Sequence, residues 1–169
     1  MKKILISFLM IMFLGAQAQQ TSKSVIDPDL NREILQGWVS RAEIASKDYL
    51  EDEKLKYEAY TADKESVETI KKAFASDKKL NILLVFATWC GDSKMHVPEF
   101  FKVADLAQIK KVKYLAVNRK KNAADIDMSK MDIQRVPTFI VYRGDVEIGR
   151  IIESPLYTIE KDLAGILSK

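Results

Sequence analysis

The sequence predicts an α/β domain, a small mixed sheet flanked by helices, with a helical extension in front of it. Three observations carry this. Residues 80–87 (LNILLVFA) are a nearly continuous apolar run, the pattern of a strand covered on both faces. The stretch 91–109 places Val97, Phe100, Ala104 and Ala107 at helical spacing, and a second buried strand reads at 112–117. Gly144-Asp145 then separates 139–143 from 146–152 as a two-residue turn with glycine first, which suits a type II′ hairpin. The strand–helix–strand unit should be parallel and right-handed, and the hairpin adds an antiparallel edge, giving a sheet with helices on both faces.

Composition bounds the function. The chain has 169 residues, 47% of them hydrophobic, enough for one domain with an extension. A fold of this size buries roughly two thirds of the surface its unfolded chain exposes, so it needs no disulfide or metal to hold together. The single cysteine, Cys90, excludes an internal disulfide and any multi-cysteine zinc or iron–sulfur site. No cofactor and no metal are expected.

The first residues read as an address. Lys2 and Lys3 precede an apolar run, 4–14, interrupted only by Ser7, and Ala16-Gln17-Ala18 supplies a small-x-small cleavage pattern. A signal peptide over 1–18, cut after Ala18, is expected, with export to the periplasm or secretion. The run is short of the ~20 residues of a membrane span, so no stable membrane anchor is expected. Its removal leaves 25 basic against 24 acidic residues, no footprint for nucleic acid. Lys110, Lys111 and Lys113, with Arg119, Lys120 and Lys121, form solvated rims of a strand.

The mature chain opens with a polar leader, 19–26. Asp27-Pro28 reads as an N-cap followed by proline at the first helical position, and Leu30, Ile34, Trp38, Ala42, Ala45 and Tyr49 continue at helical spacing. Residues 50–60 are charged, anchored by Leu55, Tyr57 and Tyr60. Val67, Ile70 and Phe74 mark a second helix over 63–76. The division is thus a leader and helical extension over 19–77 and a domain over 78–169. Trp38 and the tyrosines read as core packing rather than a ligand cage. Within the domain, Pro98 falls inside the helix and predicts a kink. A short helix or loop covers 120–131. Ser154-Pro155 starts a final helix with Leu156, Ile159, Leu163 and Ile166 in one stripe.

Trp89-Cys90-Gly91-Asp92-Ser93-Lys94-Met95, Pro98 eight residues after the cysteine, and Val136-Pro137-Thr138 ahead of the Gly144 hairpin stand in an order and spacing that resemble the thioredoxin family. The resemblance covers 78–169. It implies a thioredoxin-like fold and action on cysteine-containing proteins or small disulfides. It further implies a cis Pro137 beside the sulfur, with the Val136 backbone free to pair with an extended substrate.

The chemistry of the site is consistent with that resemblance. Cys90 sits where a strand ends and a helix begins, and free N–H groups and the helix dipole favour a negative sulfur there. The thiolate is the nucleophile in disulfide exchange. Cys90 and Ser93 are therefore the candidate catalytic residues, and Trp89, Gly91, Asp92, Arg135, Val136 and Pro137 the candidate substrate-binding residues. Trp89 shields one side of the sulfur. Asp92 supports the helix but opposes a thiolate, and Arg135 is expected to offset it. Ser93 is expected to donate to the Cys90 sulfur.

The departures from the family pattern matter as much. Ser93 stands where a second cysteine is usual, and a hydroxyl cannot resolve a mixed disulfide. Leu84 replaces the usual buried acid, and Tyr114 or Leu115 its lysine partner. His96, the only histidine, lies at i+6 from Cys90, off its helix face, and reads as a partly exposed helix residue. The expected function is exchange through a single cysteine. The alternative is a redox-inactive module that binds peptides beside Val136 and Pro137.

Overall fold

The computed structural model describes residues 23–169; the expected signal peptide lies outside them. The elements in chain order are β1 (Lys23–Asp27), β2 (Arg32–Val39), α1 (Arg41–Ala45), α2 (Glu53–Ala59), α3 (Lys64–Ser76) and β3 (Leu80–Phe86). They continue with α4 (Gly91–Leu106), β4 (Val112–Ala116), β5 (Thr138–Arg143), β6 (Val146–Ile152) and α5 (Ile159–Leu167). The strands form one mixed sheet in the order β1-β2-β4-β3-β5-β6. β3 and β4 are parallel and joined by the crossover α4, while β5 runs antiparallel to β3 and β6 to β5.

Residues 27–39, expected as helix, are the turn and inner strand of a β-hairpin whose outer strand, β1, falls in the expected leader: β1 pairs antiparallel with β2, and β2 pairs antiparallel with β4. The Asp27 carboxylate does accept backbone N–H groups, but those of Asp29 and Leu30, each at 3.0 Å, which closes a turn rather than a helix. Asn31 continues that turn with φ +46°. Gly37, at φ +92°, marks the point where β2 exchanges its partner: Arg32 to Gln36 face β1, and Gly37 to Val39 face β4. The extension is helical only from Arg41 onward, and β2 belongs to the same sheet as the strands beyond residue 78.

Side-chain alternation along β3 divides the core in two. Ile82, Leu84 and Phe86 face one cluster, which holds the buried apolar residues of α1, α3, α4 and α5, with Tyr57 of α2 packed against it. Leu83, Val85 and Ala87 face the other, completed by Ala123, Ile126, Met128, Met131 and Ile133. The helices thus gather on one face, not both, and an irregular segment around 118–134 covers the second. Pro98 is buried within α4, and the helix continues through it. At the β5–β6 turn Gly144 has φ +66°. Gly149 in β6 permits close packing of α5, since a Cβ there would lie 2.8 Å from Ile166 Cγ2. The last helix starts later than expected. The Thr158 hydroxyl accepts the Lys161 N–H, while the Asp162 carboxylate holds the N–H groups of Leu156 and Tyr157 outside the helix.

Two contacts lock the helical layer. Buried Glu160 accepts from the Tyr60 hydroxyl at 2.7 Å and the Asp63 N–H at 2.9 Å; burial and this carboxylate raise the Tyr60 hydroxyl well above the ordinary phenol range. Arg41 donates to both Asp105 oxygens, at 2.7 and 2.9 Å, its guanidinium 4.4 Å from the Phe101 ring centroid. Burial acts to raise the Asp105 carboxyl, but Arg41 and the Tyr57 hydroxyl outweigh it and hold it below its ordinary value. A lowered carboxylate contributes stability that is present above its unfolded pKa and lost as the pH falls through the folded one. In urea titrations between pH 7 and 2, Asp105→Asn should cost about 1 kcal/mol or less at pH 7, given its partial exposure. That difference should shrink as the pH falls below about 4. A difference that stays constant across the range would contradict the assignment.

Candidate functional site

The sheet topology decides where the site falls. β3 ends at Phe86, residues 87–89 turn, and α4 starts at Gly91 with Cys90 as its N-cap (φ −89°, ψ 129°). The Cys90 side chain makes no capping bond, so the first N–H groups of the helix are left without that partner. β5 lies antiparallel to β3 with Thr138 opposite Val85, which brings Arg135, Val136 and Pro137 alongside the turn. The Val136–Pro137 bond is cis. The Cys90 thiol donates to the Val136 carbonyl at 3.2 Å and lies 3.9 Å from Asp92 Oδ2. Cys90 is partly exposed, whereas Val136 and Pro137 are buried.

The other candidates divide around that sulfur. The Trp89 indole N–H donates to the Val117 carbonyl at 3.0 Å, so the ring is held against the second core cluster beside Cys90. Gly91 is exposed, and a Cβ there would meet nothing within 4 Å, leaving the approach open. Ser93 is fully buried, and its hydroxyl accepts the Ala87 N–H at 3.2 Å. It therefore ties α4 to the end of β3; the expected bond from Ser93 to the sulfur is replaced by the bond from the thiol to Val136. Arg135 pairs with Glu153 at the end of β6 rather than with Asp92. His96 is engaged with Glu99, 2.7 Å away on its own helix. Leu84 is fully buried, with Tyr114 opposite it on β4. Among the described residues no three potential metal ligands converge, and no helix is long and apolar enough to cross a membrane.

One part of the surroundings was not legible in the sequence. Arg32 of β2 donates to the Trp89 carbonyl at 3.3 Å and lies 3.5 Å from Glu51. Lys94, in the first turn of α4, pairs with the same Glu51. Lys94 is the main cause that holds the Glu51 carboxyl below its ordinary value, against the opposing effect of burial and with help from Arg32 and Lys56. The Leu35 N–H donates to Thr88 Oγ1 at 3.3 Å. Once residues 27–39 are read as a helix, nothing in the sequence places them at the cysteine; Asn31 and Gly37 are the signals of the hairpin that does.

Comparison with known proteins gives the family. A thioredoxin family model matches residues 40–160. Thioredoxin-2 of Saccharomyces cerevisiae is 31% identical over 93 residues, 55% of this chain and 86% of the relative. A thioredoxin-like protein of Acanthamoeba polyphaga mimivirus is 29% identical over 87 residues, 51% of this chain and 61% of the relative. Among solved structures, Fasciola hepatica thioredoxin has a TM-score of 0.39 at 21% identity, covering 58% of this chain and 86% of its own. A Pseudomonas aeruginosa protein of unknown function has a TM-score of 0.47 at 14% identity, covering 73% and 75%. With the family model spanning well over half of the chain, and its general chemistry being thiol–disulfide exchange with cysteine-containing proteins, this chain belongs to the thioredoxin family.

Proposed function

We propose that the protein exchanges disulfides through Cys90 alone, by way of a mixed disulfide and without a resolving cysteine of its own. The observation that carries this reading is the placement of a partly exposed Cys90 Sγ at the N-terminus of α4, 3.2 Å from the Val136 carbonyl, with a buried serine at the fourth position of the motif. Deprotonated Cys90 attacks one sulfur of a substrate disulfide. The S–S bond of the substrate breaks, a bond between Cys90 and the attacked sulfur forms, and the other substrate sulfur leaves as a thiolate. Release needs a second thiolate, from the substrate protein or from a small thiol. It attacks the substrate-side sulfur and returns Cys90 as a thiolate. When both thiols belong to the substrate, the net change is a rearranged disulfide with no gain or loss of electrons.

The local groups have separate tasks in this scheme. The Asp92 carboxylate lies 3.9 Å from the sulfur, beside the uncapped start of α4. Trp89 and the turn before β5 flank the sulfur and give an extended substrate segment apolar surface and backbone to meet. Ser93 keeps the turn in place and supplies no thiol. Substrates are cysteine-containing proteins or small disulfides. The site of action we propose is the periplasm or the exterior, after removal of residues 1–18.

Mixed with oxidised glutathione, the full-length mature chain should gain one glutathionyl group by intact mass, stable until a thiol is added, and Cys90→Ser should gain none. Reduction of insulin with dithiothreitol should stay near background for the unmodified chain and rise for Ser93→Cys. Strong insulin reduction by the unmodified chain would contradict the single-thiol route, and a chain that never accepts glutathione would instead be a redox-inactive binding module. For location, N-terminal sequencing of the protein recovered from cells should begin at Gln19; an intact Met1 would refute export by signal cleavage.

A further inference from the structure

Besides the Ser93–Ala87 bond, three tethers hold the turn that carries Cys90. The Trp89 indole is bonded to Val117 at 3.0 Å, Thr88 Oγ1 accepts the Leu35 N–H at 3.3 Å, and the Trp89 carbonyl accepts from Arg32 at 3.3 Å. Two of the three come from β2, the inner strand of the N-terminal hairpin. That hairpin precedes the region matched by the family model, which starts at residue 40. We propose that Arg32 is a positioning residue of the exchange site: it fixes the peptide unit that leads into Cys90 and, through Glu51, ties that unit to the first turn of α4.

The geometry carries the proposal in two steps. The Trp89 carbonyl lies outside the helical ladder, one residue before the N-cap, and a rotation of its peptide plane moves the backbone from which Cys90 Sγ is aimed at Val136. A guanidinium fork can hold that carbonyl and a carboxylate at once, because its donors lie in a fixed plane. Arg32 does this: Nη2 reaches Trp89 and Nη1 lies 3.5 Å from Glu51. Glu51 also pairs with Lys94, whose side chain is only 12% exposed. Strand, turn and helix start are therefore linked through one arginine and one carboxylate. The Glu51 backbone has φ +50°, with Asp52 at +58° and Asp48 at +47°.

The inference rests on Cys90 being the reactive thiol, and its test separates the two claims. The full mature chain is labelled with 5-fluorotryptophan. Its two 19F resonances are assigned with Trp89→Phe, and each variant is followed for mixed-disulfide formation with the uncharged reagent 2-hydroxyethyl disulfide. Arg32→Ala should shift the Trp89 resonance, leave that of Trp38 in place, and slow the reaction about tenfold, the size of effect that a small displacement of a reacting group produces. Arg32→Lys keeps a charge for Glu51 but has no fork, and should restore neither the resonance nor the rate in full. Glu33→Gln removes the ion pair to Lys47 in the same hairpin and should leave the Trp89 resonance in place and the rate within twofold of the unmodified chain. An unmoved Trp89 resonance in Arg32→Ala, or complete rescue by lysine, would overturn the proposal. If the unmodified chain forms no adduct, the reading of Cys90 fails, and the Trp89 resonance alone still decides whether Arg32 holds the turn.

Discussion

Antiparallel pairing of β5 with β3 is the constraint on which the site depends. Leu83 lies opposite Ile140 and Leu84 opposite Phe139, and each pair shares one face of the sheet and one core cluster. A slip of one residue would exchange the two faces, so burial on both sides fixes the register. With that register set, Val136 and Pro137 have little freedom. They emerge beside the end of β3, and a contact between residues 46 apart in sequence, Cys90 to Val136, follows from packing that neither residue supplies.

The substitution of serine for a second thiol has a structural consequence as well as a chemical one. A residue at the start of α4 that faces the sheet is buried, and a buried hydroxyl needs a partner. Ser93 finds it in the Ala87 N–H at the end of β3. The position that commonly resolves a mixed disulfide here braces the turn instead. On the proposed single-thiol route Leu84, which is fully buried, needs no charge, because that route has no second thiol to deprotonate. The two departures from the family pattern form one consistent change.

How far the fold could be read from sequence depended on whether a segment carries its own punctuation. The buried strand 80–86, its helix and the 144–145 hairpin were legible because apolar runs and a glycine turn mark them locally. The site was legible for the same reason: Trp89, Cys90 and Gly91 sit at a strand-to-helix junction, and Val136-Pro137-Thr138 opens a strand. The hairpin at 23–39 was not. Leu30, Ile34 and Trp38 match a helical period, and Pro28 fits a helix start as well as a turn. What decides between them is tertiary: β4 offers an unpaired edge, and β2 gains a ladder there that a helix would forgo. The roles of Arg32, Glu51 and Thr88 exist only after that pairing forms, so no local signal marks them. The directions of the Ser93 and Arg135 side chains differ from expectation for a similar reason, since Ala87 and Glu153 become their neighbours only in the assembled sheet.

The central claim is that the fold presents a single sulfur for exchange rather than sequestering it. The most direct measurement is the rate at which Cys90 displaces the thiol of an aromatic disulfide reagent at neutral pH, first in the folded protein and then in the same chain unfolded in urea. A folded rate equal to or above the unfolded one is the predicted result. A folded thiol that reacts about tenfold more slowly than the unfolded one, as a shielded cysteine does, would contradict the account.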